Sequence, residues 1–286
     1  MSIRTETPPA RRMIPDDYHL HTPLCRHARG EPAAYHARAR QLGLSEICFT
    51  DHAPAPCGYD ERCRMRLDQF AEYRAMIRPL LDRRDKPRTL FGIEADYYEG
   101  CRAFLERWLD EQAFDVVLGS VHYIGPWGFD NPENLAGWEH ADLRQVWRDY
   151  YALVAELADT RLFDVLTHPD LPKKFGHRLD ESLVRELAAP ALDRVAAAGM
   201  AIEINTAGLR KPVGEMYPAP AILELARQRE IPITFGSDAH SPDDVGAGFA
   251  AAAAMAAVAG YRTRARYRAR GRTLVPLETS EARDPS

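Results

Sequence analysis

Seven short runs of β-branched and apolar residues recur along the chain, and a longer stretch of helical periodicity separates most of them. The runs are DYHLH (17–21), EICFTDH (46–52), TLFGIEA (89–95), DVVLGSVH (115–122), FDVLTH (163–168), AIEIN (201–205) and PITFGSD (232–238). Strands that alternate with helices build a parallel sheet, because joining two parallel strands needs a crossover long enough to hold a helix. Two helical stretches end at Gly43 and Gly199, where a left-handed residue closes a helix without a Cβ clash. The pattern is α/β, and strand count alone leaves a closed barrel and an open doubly wound sheet both open.

The polar residues separate the two. His19 and His21, Asp51 and His52, Glu94, His122, His168 and Asp238 stand at or near the C-terminal end of every run except the sixth. A closed barrel carries those ends to one mouth, where barrel active sites lie, whereas an open sheet spreads them along a line. The expected architecture is therefore a seven-stranded (β/α) barrel with its site at the C-terminal ends of the strands. The length of 286 residues suits one such domain. Residues 1–16, with three prolines and mixed charge, read as a poorly ordered tail, 17–277 as the barrel and 278–286 as a second tail.

Several function classes are disfavoured at this stage. A net charge of −5 does not suit a chain built to coat nucleic acid or an anionic membrane. Five cysteines, an odd number without C-x-x-C spacing, argue against a disulfide framework or a zinc ribbon and fit a reducing cytoplasm. The N-terminus has no apolar signal region, and no apolar run approaches the roughly 18 residues of a membrane span. No helix exterior reads as an apolar interface, so the sequence assigns no oligomeric state.

His19 and His21 are two apart on a strand, so both face one side, as chelation of a single ion requires. Seven of the ten histidines, His19, His21, His27, His52, His122, His168 and His240, fall at strand ends or in the loops just after them. With Glu94 and Asp238 they offer nine groups, enough for two or three ions when a carboxylate bridges a pair. Imidazole and carboxylate together suit Zn, Fe or Mn. Glu94 lies in an apolar run, where burial without nearby cations is costly. His36, in the first helix, and His140 and His177, in polar loops, read as surface histidines.

The ordered segments DYHLHTPLCRHA, FTDHAP, GIEADY, GSVHYI, LTHPDLPKKFG, INTAGLRK and GSDAHSPDDVG resemble the polymerase and histidinol phosphatase (PHP) superfamily, specifically its histidinol-phosphate phosphatase branch. The resemblance runs over nearly the whole of 17–277. It implies a distorted seven-stranded barrel, a trinuclear site of divalent ions, and hydrolysis of L-histidinol phosphate to L-histidinol and phosphate in histidine biosynthesis. It assigns His19, His21, Glu94 and Asp238 to one ion, and bridging Glu94 with His122 and His168 to a second. His27, His52 and His240 would hold the third. Glu94, Asp238 and His240 would carry the catalysis, Asp51 would be a ligand or a group that orients an imidazole, and Cys25 would be a bystander.

Two divalent ions about 4 Å apart lower the pKa of a bridging water to near neutrality and clamp a phosphate in line with it, so attack by a metal-bridging hydroxide is the expected reaction. Lys173, Lys174 and Arg210 offer fixed cations for the substrate phosphate, and the resemblance points to Lys173 and Arg210. Asp96, Glu99, Trp127, Phe129 and Asp130 are candidates for holding the ammonium and imidazole. The run YRTRARYRARGR (261–272) carries six arginines and reads as a solvated terminal segment, or alternatively as a polyanion-binding tail. The second reading would favour a PHP-type nuclease; the other rival is a phosphatase for a different small phosphomonoester. The expected partner is a small phosphomonoester, not nucleic acid or membrane.

Overall fold

The structure is a computed structural model that describes residues 14–56 and 58–277. The expected C-terminal tail and residues 1–13 of the expected N-terminal tail lie outside the described residues. In chain order the strands are β1 (Asp16–Leu20), β2 (Glu46–Phe49), β3 (Arg88–Asp96), β4 (Val116–Ser120), β5 (Tyr123–Ile124), β6 (Trp127–Gly128), β7 (Val165–Leu166), β8 (Ala201–Asn205), β9 (Ile233–Gly236), β10 (Thr263–Arg268) and β11 (Gly271–Pro276). The helices are α1 (Pro32–Gln41), α2 (Phe70–Leu81), α3 (Arg102–Asp110), α4 (Leu143–Thr160), α5 (Glu181–Ala197), α6 (Pro220–Gln228) and α7 (Phe249–Val258).

Seven strands form one parallel sheet in the order β1-β2-β3-β4-β7-β8-β9. Its two edges meet: the Ala239 N–H donates to His19 O at 3.1 Å, and the His21 N–H donates to Ala239 O at 3.0 Å. The sheet is thus a nearly closed barrel, as the strand ends required. The strands are shorter than the apolar runs. β2 stops at Phe49, though a bridge between His52 and Glu94 resumes the pairing, and β7 keeps only two residues of the run 163–168. Gly43 and Gly199 both take φ of 72°, the left-handed backbone expected after α1 and α5.

The barrel interior is layered. Tyr18, Cys48, Leu90, Val116, Leu118, Val165 and Ala201 form an apolar layer toward the N-terminal ends of the strands. Strand alternation then places Glu94, four residues beyond Leu90, and Glu203, two beyond Ala201, on the same inner face but nearer the C-terminal mouth. In β1 the alternation breaks, because Tyr18 packs in the apolar layer while His19 also points inward to Glu94 and Glu203. The pairing of β1 with β2 shifts register between Asp17 and Leu20, and such a bulge lets adjacent residues share one side.

Two expectations are corrected at the other end of the barrel. Residues 14–16, taken for part of the tail, belong to the fold: Ile14 and Asp16 are buried, and Pro15 O accepts from the Ser45 N–H. The arginine run is not a tail, and of its six arginines only Arg262 and Arg272 are exposed. It forms the antiparallel hairpin β10–β11, whose Ala265 and Tyr267 close the apolar layer from below. Arg264 Nε and Arg266 Nε donate to Asp16 Oδ2 at 2.7 and 2.8 Å, Arg268 to Glu46 Oε2 at 2.6 Å and Arg270 to Asp164 Oδ2 at 3.0 Å. Carboxylates at the starts of the strands thus consume these charges. No helix among the described residues is long and apolar enough to cross a membrane.

Candidate metal centre

Glu94 stands at the middle of the mouth. Its Oε2 lies 3.0 Å from His52 Nδ1, 3.3 Å from His19 Nε2 and 3.7 Å from His21 Nε2, and its Oε1 lies 3.1 Å from His168 Nε2 and 3.7 Å from His122 Nε2. Asp238 Oδ1 is 3.2 Å from His21 Nε2, 3.8 Å from His19 Nε2 and 3.4 Å from His240 Nδ1. His27 completes the group, its ring stacked on His240 with centroids 4.6 Å apart. All nine residues singled out in the sequence therefore converge.

Their donor atoms fit cations. Buried His19 Nε2, His21 Nε2, His52 Nδ1, His240 Nε2 and Glu94 Oε2 make no hydrogen bond, although several lie within 4 Å of an opposite charge. Groups left unpaired in a protein interior are costly unless another species satisfies them. Among the described residues four sets have donor atoms close enough to share an ion: His19, His21 and Glu94; His52, Glu94 and His122; His27, His52 and His240; and His21, Cys25 and His240. The last departs from expectation, since Cys25 read as a bystander. Its buried sulfur borders the cluster, within reach of an ion shared with His21 and His240, and accepts from the Ala28 N–H at 3.2 Å.

A ring of hydrogen-bond partners aims the imidazoles. His19 Nδ1 is 2.8 Å from Glu203 Oε1, His122 Nδ1 is 2.8 Å from Asp96 Oδ1, His27 Nδ1 is 2.7 Å from Cys25 O, and His21 Nδ1 is 3.4 Å from Asp51 Oδ1. Such partners fix which ring nitrogen faces the centre. Asp51 also accepts from the backbone N–H groups of His52 at 2.8 Å and Thr22 at 3.1 Å, so it orients the cluster. His168 and Asp238 sit at φ of 26° and 50°, left-handed values that are uncommon outside glycine.

The electrostatics agree. Burial opposes the charge on Glu94, yet His19, His52 and His168 outweigh it and hold the carboxyl well below the ordinary range. Burial likewise opposes protonation of His19, but Glu203, Asp238 and Glu94 drive its pKa well above 6.5. His240 goes the other way, lowered by burial and by His21. The cluster is thus built to hold positive charge against its carboxylates.

The cluster floors a cavity of about 480 Å³. Of the three cations offered for the phosphate, only Lys174 lines it. Lys173 Nζ is buried and turned away, 2.8 Å from Asp170 Oδ2 and 3.1 Å from Glu215 Oε1. Arg210 donates to Ser237 O at 2.7 Å and lies 3.2 Å from Asp244, bracing the loop of Asp238 outside the lining. Lys174 and Lys211 line the cavity instead, with Arg26 and Arg62 nearer its rim.

Of the candidates for the rest of the substrate, only Asp130 lines the cavity. Asp96 is consumed by Arg64, Ser120 and His122, Glu99 is exposed, and Trp127 and Phe129 pack with Trp138. Glu203 was missed, although its place two residues beyond interior Ala201 marked it. His36 is corrected from surface to core: it is buried and its Nε2 lies 3.0 Å from Pro87 O. His140 is exposed, and half-buried His177 stacks on Trp138.

The PHP domain pattern matches residues 17–207 and a PHP-associated pattern matches 221–254. A probable histidinol-phosphatase of Deinococcus radiodurans is 50% identical over 248 residues, which is 86% of this chain and 94% of that one. The histidinol-phosphatase of Bacillus subtilis is 28% identical, covering 80% of this chain and 95% of its own. The histidinol phosphate phosphatase of Lactococcus lactis, solved with Zn, L-histidinol and phosphate, shares the fold at a TM-score of 0.77 and 21% identity, over 91% of this chain and 99% of that one. With its pattern matched from residue 17 to 207 and a relative half identical along most of its length, the chain belongs to the PHP domain family.

Proposed function

We infer that this chain is a metal-dependent phosphomonoester hydrolase, a histidinol-phosphatase that converts L-histidinol phosphate to L-histidinol and phosphate. The observation that carries the reading is the identity of 50%, over 86% of this chain, to a relative named for that activity. In this reading 14–277 act as one catalytic domain in the cytoplasm, where the free thiols of Cys25, Cys48, Cys63 and Cys101 are at home.

We assign three divalent ions, Zn, Fe or Mn, to the donor sets around Glu94. His19, His21 and Asp238 share Glu94 in one set, and His122 and His168 share it in the next; His27, His52 and His240 form the third. When bound, such ions make a nucleophile from water at neutral pH and neutralise phosphate charge. Lys174 and Lys211 on the cavity wall hold the phosphate, in place of Lys173 and Arg210, to which the resemblance points. Arg210 keeps Asp238 in place by its bond to Ser237 O. Asp51, Asp96 and Glu203 hold their histidines in the required tautomer.

A nuclease reading loses its main support, because the arginines of 264–270 are paired at the end of the barrel opposite the cavity. The deciding experiment offers the metal-replete enzyme histidinol phosphate, a panel of other phosphomonoesters, and single-stranded DNA. Preferred turnover of histidinol phosphate is expected. Preference for a different monoester, or release of nucleotides, would overturn the reading.

A further inference from the structure

Inside the cavity, Lys174 Nζ lies 2.9 Å from Asp130 Oδ2, with the side chains 15% and 18% exposed. Both line the space above the cluster. Lysine and carboxylate give up much of their hydration here, and each depends on the other for compensation. The remaining acids of the wall are otherwise engaged. Asp60 accepts from Arg64 at 3.0 Å and from the Tyr123 hydroxyl at 2.7 Å, and Glu133 pairs at the rim with Arg62 at 2.6 Å. Among the described residues Asp130 accepts a side-chain hydrogen bond from Lys174 alone. Lys211 adds a second ammonium close to this pair.

We propose that Asp130 is the subsite for the substrate's ammonium group, and that Lys174 and Asp130 part when an amino-alcohol phosphate enters between them. This rests on the histidinol-phosphate reading. In such a substrate the phosphate and the ammonium are separated by one oxygen and two carbons, so a single small molecule presents both charges over the span of the opened pair. Lys174 turns to the phosphate beside Lys211, and Asp130 takes the ammonium. One internal ion pair becomes two pairs with the ligand, and no charge is stranded.

A phosphomonoester without the amine also draws Lys174 away, but it leaves Asp130 without its hydrogen-bonded ammonium in a part-buried wall. Truncating one side of a desolvated ion pair is costly for that reason. The exchange therefore selects for amines without a dedicated empty pocket. Burial, reinforced by Lys174 and offset by Asp238 and Asp130, lowers the pKa of Lys211, consistent with two ammonium groups held close until an anion joins them.

The test is a ratio. The kcat/KM for L-histidinol phosphate is divided by that for its counterpart lacking the amino group, imidazolylpropyl phosphate, in wild type and in Asp130→Asn. The ratio should exceed about tenfold in wild type and fall toward unity in the variant. A wild-type ratio near unity, or one that survives Asp130→Asn, overturns the proposal. If Asp130→Asn does not fold, Lys174→Gln carries the test from the other side: histidinol should bind more tightly and inorganic phosphate more weakly, and weaker binding of both overturns it. If histidinol phosphate ranks no higher than other monoesters, the substrate reading fails by itself. The ratio for phosphoethanolamine over ethyl phosphate then still reads the subsite, by the same criteria.

Discussion

Glu203 reaches His19 across the width of β9, Oε1 to Nδ1 at 2.8 Å, and it does so over a glycine. A Cβ on Gly236 would lie 1.9 Å from Glu203 Oε1 and 2.6 Å from His19 Cβ. The missing side chain is what lets a carboxylate on β8 orient an imidazole on β1, leaving His19 Nε2 aimed at Glu94 and Asp238. Glu203→Gln keeps the volume but removes the charge, and should weaken metal binding about 10- to 100-fold. Competition with a chelator measures it; unchanged metal affinity would falsify the positioning role.

Among the described residues Glu94 is the one carboxylate that meets the rings of both His19 and His168. Glu94→Gln should therefore remove at least one ion per chain and lower kcat by about two orders of magnitude or more. Elemental analysis beside steady-state kinetics separates the two losses. A normal metal count with full activity contradicts the shared-ligand assignment.

Arg64 is buried behind the cluster, donating to Asp96 Oδ2 at 2.6 Å, Asp60 Oδ2 at 3.0 Å and Ala53 O at 3.0 Å. Asp96 in turn holds His122 Nδ1. Burial opposes ionisation of Asp96, but Arg64 and His122 hold its carboxyl far below the ordinary range. Arg64→Met should cost about 3 kcal/mol of stability, since it takes the guanidinium from buried Asp96 and part-buried Asp60. Arg64→Lys should recover part of that, read by urea denaturation. Equal stability of wild type and Arg64→Met would mean that the network carries no weight.

The sequence makes the barrel and its mouth legible because both follow from period: apolar runs at regular spacing, with polar residues at one end. Features set by pairings distant in the chain are not legible. The hairpin β10–β11 turns at Ala269 and Arg270, with φ of 47° and 63°, and lacks the glycine or asparagine that usually signals such a turn. Its arginines look solvated until Asp16, Glu46 and Asp164 are brought beneath the barrel. Lys174 and not Lys173 lines the cavity, because both lie in a tight 3-10 turn, Leu171–Phe175, where successive side chains diverge by about 120°. The choice between them is a matter of rotation, which composition does not encode.

Arg264 tests whether the hairpin is structural. It is buried and bonded to Asp16 at 2.7 Å, so Arg264→Ala should destabilise the fold by about 3 kcal/mol, with Arg266 limiting the loss. Because the hairpin lies at the opposite end from Glu94, the metal count of the folded fraction should not change. Thermal denaturation and elemental analysis report the two; a destabilised protein that also sheds metal would show that the hairpin is coupled to the mouth.

His36 provides a pH-dependent test away from the metals. It lies on the buried stripe of α1 with Pro32, Tyr35 and Ala39, a helical spacing that reads as core. Burial lowers its pKa below 6.5, with Arg83 and Arg40 acting in the same direction against Asp85 and the bond to Pro87 O. The unfolded chain therefore takes up this proton first as pH falls. The stability contributed by neutral His36 is complete above the unfolded value and declines as pH drops from there through the lower folded value, by less than about 1 kcal/mol. His36→Gln, which can still donate to Pro87 O, should show a smaller loss of unfolding free energy between about pH 7.5 and pH 5.5 than wild type does. An NMR titration that places the His36 pKa above 6.5 in the folded protein would reverse the sign and refute the assignment.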